Sequence, residues 1–174
     1  MTSRPLQFEQ WVPFPVEKVF LFFANPENLP RIMPPATATH LVELRLVAPP
    51  GSSADGPPLA GVGSQIVTSF RVSPYLFVRA EWIAEITEFE WNHHFADEQR
   101  RGPFHFFRHR HEFTAESRRS INGTVIRDLI TYEVGFGALG RLADKFFIRR
   151  QLRQTFRYRQ RALEKLLVQQ TSRM

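Results

Sequence analysis

Alternation of apolar and polar positions begins almost at once. Leu6, Phe8, Gln10 and Val12 fall on one side of an extended chain and Gln7, Glu9 and Trp11 on the other, which predicts a first strand. Pro13 and Pro15 interrupt it. Val16, Val19, Phe20 and Phe23 then recur at i, i+3, i+4 and i+7, the stripe of a short amphipathic helix with Pro15 in its first turn. Asn25-Pro26 reads as a cap and a first-turn proline. It opens a second short helix with Leu29, Ile32 and Met33 on one face, which Pro34-Pro35 stops.

Strand-like segments follow over 37–47, 64–72, 77–87, 91–99 and 103–115, and a last one over 124–136 after the turn signal Asn122-Gly123. Between the first two, residues 48–61 (APPGSSADGPPLAG) are turn chemistry throughout, and the expectation is a mobile excursion within a hairpin rather than a linker. Short loops elsewhere favour antiparallel pairing.

From 138 to 169 there is no proline and the only glycine is Gly140, so one long helix or two consecutive helices are expected. Leu152, Phe156, Leu163, Leu166 and Leu167 share a face, with Arg150, Arg153, Arg157, Arg161 and Lys165 opposite. Leu139, Leu142, Ala143, Phe146 and Phe147 occupy a face rotated by roughly a third of a turn, so the helix bends near 147–150 or two segments meet there. Its first part could then serve as a lid.

An amphipathic helix must bury its stripe, and only the sheet can cover it. The predicted architecture over 1–174 is therefore one α+β domain. A curved seven-stranded antiparallel sheet wraps a long C-terminal helix, with two short helices after the first strand. Space between sheet and helix is where a small, largely apolar ligand would sit.

Composition narrows the partners. With 43% hydrophobic residues in 174, the chain is neither disordered nor membrane-spanning, and no apolar run could cross a bilayer. The first residues show no secretory h-region, so a cytoplasmic location is expected. The absence of cysteine excludes disulfides and thiolate chemistry. Seventeen phenylalanines must fill a core or line a pocket. The net charge of +6 raises an anionic partner. Nucleic acid is not expected, since no helix-turn-helix, zinc or RNA-binding signature is present. An anionic lipid surface is the better match for the stripe Arg150, Arg153, Arg157, Arg161 and Lys165.

Three blocks carry a resemblance to a known family: "FEQWVPFPVEKVFLFFANPENLPRIMPP", "FADEQRRGPFHFFRHRHEF", and "VIRDLITYEVGFGALGRLA" with "RRQLRQTFRYRQRALEKL". Over nearly its whole length the chain resembles the START-like superfamily, also called SRPBCC or Bet v 1-like. Within it, the similarity is to bacterial ligand-binding proteins related to the polyketide cyclase/dehydrase group. The resemblance implies a helix-grip fold and a hydrophobic ligand such as a lipid, sterol, polyketide or plant hormone. Some relatives are cyclases, so fold alone does not choose between binder and enzyme. Residues 48–61 look long for this family.

Candidate chemistry lies on the later strands. In 103–115, His105, Phe107, His109, His111 and Phe113 share one face, and Phe104, Phe106, Arg108, Arg110 and Glu112 the other. The charged run should face water, putting the histidines inward. Asp128 and Tyr132 on the last strand, and Phe95 with Asp97 before it, point the same way. The expected ligand-lining set is Trp82, Phe95, Asp97, Phe107, His109, His111, Asp128, Tyr132 and Phe156. Within it, His109, His111, Asp128 and Tyr132 are the candidates for catalysis. Two readings of this patch compete: a hydrogen-bonded network that only fixes strand register, or one that orients a polar group of the ligand. His109 and His111 could also share a metal with Asp128 or His105, but the motif is short, and no metal or cofactor is expected.

Overall fold

A computed structural model describes residues 5–73, 76–135 and 137–171. Strand β1 (Leu6–Val12) leads into helix α1 (Val16–Ala24). The side chain of Asn25 then caps a short 3₁₀ turn by accepting from the Glu27 amide, and α2 (Leu29–Ile32) follows. Six strands come next: β2 (His40–Arg45), β3 (Gln65–Ser73), β4 (Leu76–Glu90), β5 (His94–Arg101), β6 (Phe106–Ala115) and β7 (Thr124–Glu133). They form one antiparallel sheet in the order β1-β7-β6-β5-β4-β3-β2, as expected for the predicted α+β architecture. Register shifts between Ile83 and Ala84 and between Ile86 and Glu88 put extra residues into the β4–β5 pair, and such bulges bend a strand and deepen twist.

The predicted strand starting at Trp91 begins at His94 instead, because residues 90–93 form a turn with Asn92 at φ 60°. The turn expected at Asn122-Gly123 lies earlier. Arg118 and Ile121 pair across Arg119 and Ser120, both at positive φ, the signature of a tight primed turn. Phe136, the predicted end of the last strand, lies outside the described residues.

The C-terminal segment runs as α3 (Gly137–Ala143), a π-helical turn (Asp144–Ile148) and α4 (Arg149–Thr171). A π turn inserts one residue into the helical ladder and rotates all that follows. That rotation accounts for the change of apolar face. The earlier face is not buried: Leu142, Phe146 and Phe147 are 60%, 56% and 73% exposed. The side chain of Leu139 lies outside the described residues.

Two apolar clusters anchor the grip. Phe20, fully buried on α1, sets its ring 5.2–5.9 Å from those of Phe89, Trp91, Phe95 and Phe113, mostly edge to face. Each such pair adds about 0.5–1.5 kcal/mol beyond area burial. The second cluster joins Leu6, Phe107, Ile130, Tyr132 and Phe156, with Phe8 stacked on Phe156 at 4.8 Å. The connection between β2 and β3 is pinned where it passes the core. Leu59 and Ala60 are buried, the Ala60 amide donates to Ala24 O at 3.0 Å, and Trp91 Nε1 donates to Pro50 O at 2.7 Å.

Candidate functional site: a cavity with one polar end

Strands β5, β6 and β7 bring four ionisable side chains to the concave face of the sheet. Antiparallel register sets Asp97 opposite His109, and His111 opposite Asp128. Alternation along β6 buries Phe107, His109, His111 and Phe113, while Arg108 and Arg110 turn outward and both pair with Glu88.

Asp128 is the hub. Its Oδ1 lies 3.0 Å from Nε2 of His109 and 2.7 Å from Nδ1 of His111. The first contact is a hydrogen bond. The second is close but off the ring's N–H direction, which leaves Nδ1 of His111 without a directed partner among the described residues. An ionised carboxylate only accepts, so Nε2 of His109 carries the hydrogen. Nδ1 of His109 is then the lone-pair nitrogen, 3.8 Å from Oδ1 of Asp97.

Protonation follows from burial and these contacts. Burial pushes His109 down to about 3; the neighbouring His111 adds to the fall, and Asp128 offsets only part of it. Burial lowers His111 as well. Burial also opposes charge on Asp128, but His111 beside it and the N–H contacts of both histidines hold it below the usual carboxylate range. The consistent state is an ionised Asp128 between two neutral imidazoles. Asp97 differs: burial raises it to about 7, against the pull of Arg159 and with the help of Asp128. It therefore exchanges its proton near neutrality.

Asp97, His109 and His111 of this patch line a cavity of about 340 Å³ between the sheet and α4. Trp82, Phe95, Phe104, Phe107 and Phe156 supply aromatic wall, and Phe22, Ile32, Ile66 and Leu152 add aliphatic and ring surface. Among the described residues, Asp97, His109, His111 and Arg159 are its ionisable groups.

Of the expected residues, Trp82, Phe95, Asp97, Phe107, His109, His111 and Phe156 line the cavity. Asp128 stands behind the histidines. Tyr132 is buried in the neighbouring cluster, and its hydroxyl donates to Asp144 Oδ1 at 2.6 Å. His105 and Phe104 exchange the sides expected of them, because residues 103–105 precede the strand and do not alternate: His105 is exposed and Phe104 lines the cavity. Arg159 was not in the expected set. It falls in the Leu152, Phe156, Leu163, Leu167 stripe, three residues after Phe156 and four before Leu163, and that position is the signal that points it inward.

The third ligand a metal would use is Asp97 rather than Asp128 or His105. Ligand atoms of Asp97, His109 and His111 lie within 4.8 Å of one another, while ligands sharing one ion at about 2.1 Å stand no more than about 4.2 Å apart. The guanidinium of Arg159 on α4, whose charge acts on Asp97 and both histidines, further opposes a divalent cation.

A sheet gripping one helix over a cavity defines a START-like, Bet v 1-like protein. The polyketide cyclase/dehydrase and lipid transport family model matches residues 12–157, and the chain belongs to that family. Solved structures agree on the fold. A Thermus thermophilus protein, TTHA0849, is 17% identical with a TM-score of 0.65, over 95% of this chain and 97% of that one. A START superfamily protein from Mycobacterium smegmatis is 16% identical at 0.65, over the same shares. Norcoclaurine synthase from Thalictrum flavum is 14% identical at 0.62, over 95% of this chain and 87% of that one. No curated protein matches the chain in sequence.

Proposed function

We propose that the cavity takes up a small, mainly apolar molecule and holds its polar end against Asp97, His109 and His111. The observation that carries this reading is the grouping of ionisable Asp97, His109 and His111 on the wall of a space of about 340 Å³ that is otherwise lined mainly by apolar and uncharged side chains. That size is in the range of small-molecule sites, and convergent polar groups in an apolar wall are what orient a ligand. Native mass spectrometry of purified protein, with thermal shifts across a lipid and polyketide panel, is the test. A ligand seen by either method is expected. Failure of both would remove the reading.

A second reading, a cyclase or dehydratase, draws on the family and on Asp97. A carboxyl group near pH 7 beside the lone-pair nitrogen of His109 suits acid–base work at neutral pH. Asp97 would take the proton beside a ligand carbonyl and return it to a hydroxyl that leaves as water. Turnover of a β-hydroxy ketone panel lost in Asp97→Asn and His111→Ala, with binding retained, is expected; loss through unfolding would mark the network as structural. No helix among the described residues is long and apolar enough to cross a membrane. Contact with an anionic lipid surface draws on the exposed Arg150, Arg153, Arg157, Arg161 and Lys165, next to exposed Phe146 and Phe147. Charge reversal at Arg153 and Arg157 should then weaken binding to phosphatidylserine vesicles, and unchanged binding would remove that contact.

A further inference from the structure

Arg159 is the only cation among the described residues lining the cavity. Other arginines near the sheet are engaged: Arg108 and Arg110 with Glu88, Arg100 with Glu85, Arg127 with Glu9. Among the described residues, Arg159 has no carboxylate within 4.0 Å and no hydrogen bond to its guanidinium. Its guanidinium carbon stands 4.7 Å from the ring centroid of Phe156. Such stacking holds the plane of the group while leaving its N–H edge unspent.

The two carboxylates that sense Arg159 do not neutralise it by contact. Asp128 is committed to the histidines. Asp97 faces Nδ1 of His109 at 3.8 Å and makes no ion pair with Arg159 within 4.0 Å. A half-buried cation on an apolar wall is costly, and a ligand that closes the cavity over it adds to that cost unless it brings the opposite charge. The N–H fork of a guanidinium matches a carboxylate, two bonds in parallel.

We infer that the ligand carries a carboxylate on its apolar body, and that Arg159 recognises it in the cavity. This rests on the reading of the cavity as a binding site and adds the chemical class of what it selects. Thr155 and Gln151 line the same side of α4 and offer further polar atoms.

The test compares decanoate with methyl decanoate, and naphthoate with naphthamide, by calorimetry at neutral pH on the full chain. Each acid should bind about 10- to 100-fold more tightly than its neutral partner, the scale of hydrogen bonds to a charged group. Arg159→Met should cut that advantage to about twofold or less, and Arg159→Lys, which keeps charge but loses the fork, should retain only part of it. Melting of the unliganded variants separates roles. A recognition residue leaves Arg159→Met at least as stable as the parent, whereas a residue paired internally with Asp97 would lower it. Neutral probes binding as well as acids would overturn the inference while sparing the cavity reading. No binding by any probe would overturn both.

Discussion

The hydroxyl of Tyr132 donates to Oδ1 of Asp144 at 2.6 Å, and so ties the last strand to the π-helical turn that opens the C-terminal helix. Burial and the Asp144 carboxylate together hold the phenol above its usual range, so it stays a donor throughout ordinary pH. Tyr132→Phe keeps the ring and removes the donor. A hydrogen bond to a charged group contributes about 1.5–3 kcal/mol, and a loss of that size in urea unfolding is expected. Amides at 142–149 should exchange faster with solvent in the variant. Protection unchanged there would mean that the bond does not hold the turn.

The two histidines should differ under the same substitution. His111 packs among Phe23, Phe95 and Phe113, with ring centroids 4.7–6.2 Å away, and its Nδ1 makes no directed bond to a described residue. Among the described residues, His109 makes the one side-chain hydrogen bond to the Asp128 carboxylate. His109→Phe therefore strips Asp128 of its directed partner, while His111→Phe leaves it. We expect the first to cost about 1–3 kcal/mol more than the second in denaturant unfolding. Equal losses would mean that the two contacts to Asp128 are equivalent.

Much of this site was legible because a half-buried strand announces its faces. Outward Arg108, Arg110 and Glu112 forced Phe107, His109 and His111 inward, and the same logic turned Asp97 to the cavity and Asp128 to the same face of the sheet, behind the histidines. What alternation could not show was depth. Tyr132 shares its face with Asp128, yet its longer side chain reaches Asp144 on another element. Nor could period two extend past the strand's start, which is why Phe104 and His105 changed sides. Arg159 was masked by its neighbours: Arg157 and Arg161 belong to the exposed stripe, and one more arginine between them reads as part of it. The change of helical face was visible as a phase shift, but phase alone does not tell a bend from one inserted residue in a π turn.

Asp97 gives the fold a pH dependence of definite sign. Its folded-state value of about 7 exceeds the ~3.9 of an unfolded aspartate, so the folded chain binds the extra proton between these values. The stability from that proton is complete below pH ~4 and is lost as pH rises through about 7. Asp97→Asn has no such proton to lose. The difference in unfolding free energy, variant minus parent, should therefore grow in the variant's favour from pH 5 to pH 8, by an amount on the order of 1–4 kcal/mol. The lowered histidines act oppositely, since the unfolded chain takes up their protons below pH ~6.5. They remain in both proteins and largely cancel in the difference. A flat difference across this range would show that Asp97 is ionised throughout.

The long β2–β3 connection should divide sharply into a part that matters and a part that does not. Gly61 donates its amide to Val47 O at 2.8 Å, and a Cβ placed on it would stand 2.8 Å from Pro49 N and 2.9 Å from Val47 O. Those neighbours are backbone and cannot yield cheaply, so Gly61→Ala must shift the neck of the loop. The shift carries Ala60, which lines the cavity, and Leu59, which is buried beside it. Overpacking of this kind costs about 1–3 kcal/mol, and the variant should lose both melting temperature and affinity for any ligand of the cavity. Residues 53–58 are exposed and lie beyond these anchors. Replacing them with a short Gly-Ser link should change stability by less than about 1 kcal/mol, because loop-closure entropy varies slowly with length. Loss of ligand binding on that replacement would instead assign the tip a part in covering the cavity.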